Sequence, residues 1–190
     1  MSKLRMASVL SLLMAFSAPA FATDAGAPPS PPSFRADFLK ALDRVENQTV
    51  SLEQAMPQRK FTWRPGKDVR SVSEVYLHIA GSIYFFVTKL GREPPAGVKA
   101  LGKKDWDTQT TNKEAIKTVL TTAFAFLRKA VQETSDADFD KSVQMFGNEW
   151  SERLVFMAVQ GHCWEHLGQS IAYARVNGVV PPWSKPDANE

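Results

Sequence analysis

The chain offers few groups for cross-linking or ligation: 190 residues carry 1 cysteine and 3 histidines. A lone Cys163 excludes an intramolecular disulfide, so any core must hold by packing. Imidazole chemistry is confined to His78, His162 and His166. Long apolar runs are missing as well. The stretch MASVLSLLMAF near the N-terminus falls well short of the roughly 20 residues that span a bilayer, and no later segment comes closer, so no membrane span is expected. Charge of one sign is also lacking, since 23 Lys and Arg against 20 Asp and Glu leave a net charge of +3. The one basic cluster, VKALGKKDW, carries no nucleic-acid-binding motif and reads as a solvated loop, which argues against a nucleic-acid partner. No segment alternates apolar and polar residues convincingly enough to mark a strand.

What is present begins with a targeting pattern. Lys3 and Arg5 precede the apolar run, and APAFA follows it with Ala20 and Ala22 three and one residues before a cut. Residues 1–22 are therefore expected to be a cleaved signal peptide, with Thr23 the new N-terminus. Losing Lys3 and Arg5 lowers the basic residues from 23 to 21 against 20 acidic ones, a mature net charge of about +1. No cysteine lies near the cut to accept a lipid anchor. A soluble periplasmic or secreted protein is the expected product. Residues 23–33, TDAGAPPSPPS, read as a proline-rich flexible tether, and residues 185–190 as a C-terminal tail.

Four amphipathic helices are expected over residues 34–184. Phe38, Leu42, Val45, Thr49, Leu52 and Met56 recur by threes and fours until Pro57 ends the first helix. Ser71 and Glu74 form a capping box for the second, which runs to about Leu90. TNKE places a second box at Thr111 and Glu114 for the third, which carries Ile116, Leu120, Ala123, Leu127 and Ala130 on one stripe and ends near Thr134. After the irregular stretch SDADFDKSVQMFGNEW, Ser151 caps a fourth helix that reaches Asn177 and stops at Gly178. The expected fold is all-α, a four-helix bundle whose long connections leave its topology open.

The fourth helix holds GHCWEHLGQS. Residues four apart share a helix face, so His162 and His166 can turn their imidazoles toward one atom, and Gln169 and Tyr173 continue that stripe. Other faces of the helix are apolar, with Leu154, Val155, Phe156, Met157, Val159, Leu167 and Ile171, which suggests a largely buried helix. Buried imidazoles need partners. They are either ordinary core histidines with hydrogen bonds or two ligands of a divalent metal that needs a third from another element. His78, at the edge of the apolar arc of the second helix and in line with Glu74, Ser82 and Phe85, is the remaining histidine. Glu74 is placed to support it or to add a ligand. Cys163 reads as a small core residue, and Tyr173 as either a core phenol or a proton donor. HCWEH also fits the inverted zinc-protease pattern, but that chemistry needs a further carboxylate ligand well downstream, and Glu190 is a poor candidate.

SVSEVYLHIAG, followed much later by SERLVFMAVQGHCWEHLGQSIAYARVNGVVPPWS, resembles the DinB-like (YfiT-like) superfamily of metal-dependent four-helix bundles over residues 34–184. The resemblance rests on a histidine in the second helix, H-x-x-x-H-x-G-Q in the fourth and an N-G-x-x-P-P exit. It implies that His78, His162 and His166 ligate one divalent ion, nickel or zinc, with iron or manganese as alternatives. It also implies an enzyme of hydrolase or transferase type acting on a small molecule. Glu74, Glu165 and Tyr173 are the candidates for proton transfer. The export signal departs from the family pattern and argues against a cytosolic thiol as co-substrate. The competing expectation is a non-catalytic periplasmic protein that binds metal or a small ligand, and a homodimer is compatible with either.

Overall fold

The structure, a computed structural model, describes residues 33–98 and 105–185. The signal peptide, and the tether and tail apart from Ser33 and Lys185, lie outside the described residues. Four long helices carry the fold: α1 (Phe34–Ala55), α2 (Val72–Lys89), α3 (Lys113–Glu133) and α4 (Glu152–Val176). Each starts where a side chain satisfies a free backbone N–H of the first turn. Ser33 Oγ accepts from Ala36 N at 3.2 Å. Ser71 and Glu74 close both halves of their box, with Glu74 Oε2 accepting from Ser71 N at 2.7 Å. Ser151 Oγ accepts from Leu154 N at 3.2 Å. At the other end of α4, Gly178 takes φ +75°, a conformation that glycine adopts without a side-chain clash.

Three expectations need correction. The cap of α3 is Asn112, whose Oδ1 accepts from Ala115 N at 2.9 Å, and not Thr111. Asparagine caps at least as well as threonine, and Gln58 Oε1 takes the Lys113 N–H at 2.8 Å, so no box at Thr111 is needed. The stretch read as irregular contains an antiparallel hairpin, β1 (Ser142–Met145) paired with β2 (Asn148–Ser151), with Met145 opposite Asn148. Its turn carries a phenylalanine where Asn-Gly or Asp-Gly is the usual signal, which hides it from a sequence reading. Finally, α4 is not buried all round: Leu154 and Met157 are 42% and 54% exposed.

α1 and α2 each pack against both α3 and α4, so α1 and α2 face each other across one diagonal of the bundle and α3 and α4 across the other. Leu42, Leu52, Ile83, Leu120, Phe124 and Phe156 fill the interior with no exposed surface. The α2–α4 seam is one of four in this arrangement, and it carries all three histidines. Among the described residues, no helix is long and apolar enough to cross a membrane.

Candidate metal centre

His78 projects from α2, and His162 and His166 from successive turns of α4, into the same seam. One ring nitrogen from each lies within 4.8 Å of the other two. His162 Nε2 and His78 Nε2 are 3.2 Å apart. Two nitrogens on one tetrahedral zinc, each at its usual bond length, lie about 3.3 Å apart. The spacing and the donor type therefore fit a divalent ion.

The remaining ring nitrogens define the proton positions. Tyr173 Oη donates to the Arg70 carbonyl at 3.1 Å, so its oxygen is free to accept from Gln169 Nε2 at 2.9 Å. That orientation turns Gln169 Oε1 toward His166 Nδ1 at 2.8 Å, and the imidazole must be the donor. His166 Nε2 is then left with its lone pair. His78 Nδ1 faces Asp107 Oδ2 at 3.3 Å, which makes it the protonated nitrogen and leaves a lone pair on Nε2. His162 Nδ1 points to Glu165 Oε2 at a longer 3.7 Å. A histidine whose outer N–H is held by an oxygen acceptor presents its other nitrogen in a fixed direction, as metal-binding histidines do.

Electrostatics favour the neutral form of His162 and His166. Burial, followed by the neighbouring His166 and His78, pushes His162 down to about 4. Burial also lowers His166, against the opposing hydrogen bond to Gln169. Burial alone would raise Asp107, but hydrogen bonds from His78 and Arg70 outweigh it and hold the carboxyl below its ordinary range. The site is also open to solvent, with the His78 and His162 side chains 23% and 25% exposed.

Asp107 was not among the expected site residues. It lies in a 3-10 turn, Trp106–Thr108, one residue past the basic cluster VKALGKKDW that reads as a solvated loop. That reading is corrected for its end. Trp106 Nε1 donates to the Leu77 carbonyl at 2.9 Å, and its ring lies where a Cβ on Gly81 would be. The missing side chain of Gly81 admits the indole against α2, and the next residue then reaches His78. Arg70 Nε donates to the same Asp107 oxygen at 2.9 Å. The tryptophan between two aspartates in DWD was the available signal, since a solvated loop has little use for an indole.

Glu74 is placed elsewhere. Its Oε1 accepts from Arg64 at 2.7 Å and its Oε2 from the Ser71 backbone, so both oxygens are engaged at the start of α2. Tyr173 reaches the site through Gln169 and not directly, and Trp63 packs edge-on against its ring at 5.3 Å. Glu165 sits beside His162 with a 74% exposed side chain. Cys163 is fully buried, and burial pushes its thiol up to about 12, which fits the core role.

Residues 41–170 match the DinB superfamily. The chain belongs to the DinB superfamily. Two solved structures share the fold. A DinB-like protein from Bacillus cereus is 18% identical, with 76% of this chain and 93% of that one covered at a TM-score of 0.67. A DinB-like protein from Bacillus subtilis is 16% identical, covering 80% and 96% at a TM-score of 0.61. No curated protein matches the chain. At these identities the DinB likeness establishes the architecture, and the chemistry must be argued from the histidines.

Proposed function

We propose that this DinB-superfamily chain is an exported, metal-dependent enzyme of hydrolase or transferase type, with His78, His162 and His166 holding one nickel or zinc ion. The observation that carries the reading is the convergence of three imidazole nitrogens while the opposite nitrogens of His78 and His166 are held by Asp107 and Gln169. Without a cation, the lone pair of His78 Nε2 faces a second imidazole at 3.2 Å. When bound, a divalent ion supplies Lewis acidity and a full double positive charge at that point.

The chain's own residues supply the rest. Asp107 and Gln169 fix the ring orientations, and Tyr173 and Arg70 fix Gln169 and Asp107 in turn. Glu165 is the candidate for moving a proton, because its carboxylate faces solvent next to His162 while Glu74 and Tyr173 are committed to other bonds. Partial exposure of His78 and His162 favours a site that meets a small-molecule substrate over a sealed storage site. Export to the periplasm is supported by Lys3, Arg5, the apolar run and Ala20 and Ala22.

The test is elemental analysis of purified chain after zinc or nickel loading and removal of free ion, beside a screen of ester, amide and phosphoester substrates. One ion per chain is expected, lost in His166→Ala with the helical content retained. Full metal content in His166→Ala would end the proposal.

A further inference from the structure

The turn of the hairpin is built against its own preference. Phe146 and Gly147 are its two central residues, at φ +52° and +77°. A two-residue turn with both φ values positive favours Asn or Gly at the first position, and a bulky aromatic side chain there is strained. Strain of this kind persists only where something else maintains it. Core burial does not, because Phe146 remains 63% exposed.

The Phe146 ring instead extends an aromatic surface. It stacks on Phe85 at 5.9 Å with the planes 28° apart. It also meets Phe86 at 6.1 Å and Trp150 at 5.8 Å, both edge-on. Phe86 continues to the metal centre, its ring centred 6.3 Å from that of His162. Phe85 and Phe86 lie one and two turns beyond Ser82 and His78 on the half-buried face of α2. A continuous aromatic wall therefore runs from the exposed hairpin tip down to a candidate ligand histidine.

We infer that this wall is the recognition surface of the histidine site, and that it selects ligands with a flat aromatic group attached to a metal-seeking polar head. The inference rests on the metal reading above. A head group at the histidines places the adjoining part of the ligand along Phe86, and a planar ring there continues toward Phe146 by offset or edge-on stacking. An aliphatic chain of the same reach gains apolar contact but no ring-to-ring geometry. Phe146 is a specificity residue in this account, since its ring is the outermost and most exposed part of the wall.

Benzohydroxamate and acetohydroxamate share a metal-binding head and differ by the ring. With zinc-loaded protein, calorimetry is expected to find the benzo compound bound about tenfold more tightly, the scale of one good aromatic contact. Phe146→Asn installs the residue the turn prefers, so the hairpin survives. It should retain zinc and its affinity for acetohydroxamate while losing most of the preference for the ring. Equal affinity for both compounds in the parent, or an undiminished preference in Phe146→Asn, would overturn the inference. Should the chain take up no zinc, the metal reading fails by itself. The wall is then tested in metal-free protein by NMR, where benzyl alcohol, and not ethanol, is expected to shift the ring signals of Phe85, Phe86 and Phe146. No such shift would overturn it.

Discussion

Two acidic residues separate function from folding at the scale of single side chains. Asp107 holds His78 Nδ1, so Asp107→Asn is expected to weaken metal binding about 10 to 100-fold, as loss of an outer partner of a ligand histidine does. Glu74 holds the start of α2, so Glu74→Gln should leave metal affinity unchanged and cost about 1 kcal/mol of stability, read by urea unfolding. A reversed outcome would exchange their roles. Glu53 bears on stability alone. It is fully buried on α1, its Oε1 has no hydrogen-bond partner, and burial raises it to about 7 against the bond from Gln54 and the charge of Lys113. A carboxyl whose folded pKa lies above its unfolded value of 4.5 binds its proton more tightly in the native state. Its contribution is complete below pH 4.5 and is lost as pH rises through 7. Between pH 5 and pH 8 the parent should lose about 2 kcal/mol relative to Glu53→Gln in urea unfolding. Parallel pH profiles would mean that Glu53 is ionised without penalty.

Among the elements, α2 and α4 were legible and the connection that completes their site was not. Periodicity and capping chemistry locate helices because they are local: Ser71 with Glu74, and Ser151 before an apolar run, report on residues within one turn. The i, i+4 spacing of His162 and His166 is local in the same way, which is why the pair could be read on one face. Asp107 reaches His78 only through a tertiary event, the docking of Trp106 on Gly81, and no periodicity encodes that. The hairpin escaped for a related reason, since Phe146 occupies a turn position that Asn or Gly would have advertised. Gly81 is the position at which this docking can be tested. In Gly81→Ala the added Cβ overlaps the Trp106 ring, so the indole must move and take Asp107 with it. Overpacking of this kind costs about 1 to 3 kcal/mol. Metal affinity should fall along with stability in Gly81→Ala, although glycine offers the site no ligand atom. A stability loss with unchanged metal affinity would show that Asp107 is held without Trp106.

At the scale of the whole molecule, the bundle makes one site from two helices that are distant in sequence. Because α2 and α4 share a seam, a histidine early in the chain meets a pair late in it. The same seam continues past Phe86 to the hairpin, so the histidine cluster and the aromatic wall are parts of one surface. In the proposed function His78, His162 and His166 hold a single divalent ion. Anomalous diffraction at the zinc edge from crystals of zinc-loaded protein locates that ion. One strong peak is expected, about 2.0 to 2.1 Å from a ring nitrogen of each histidine. A map with no peak between α2 and α4, or with zinc held by other residues, would contradict it.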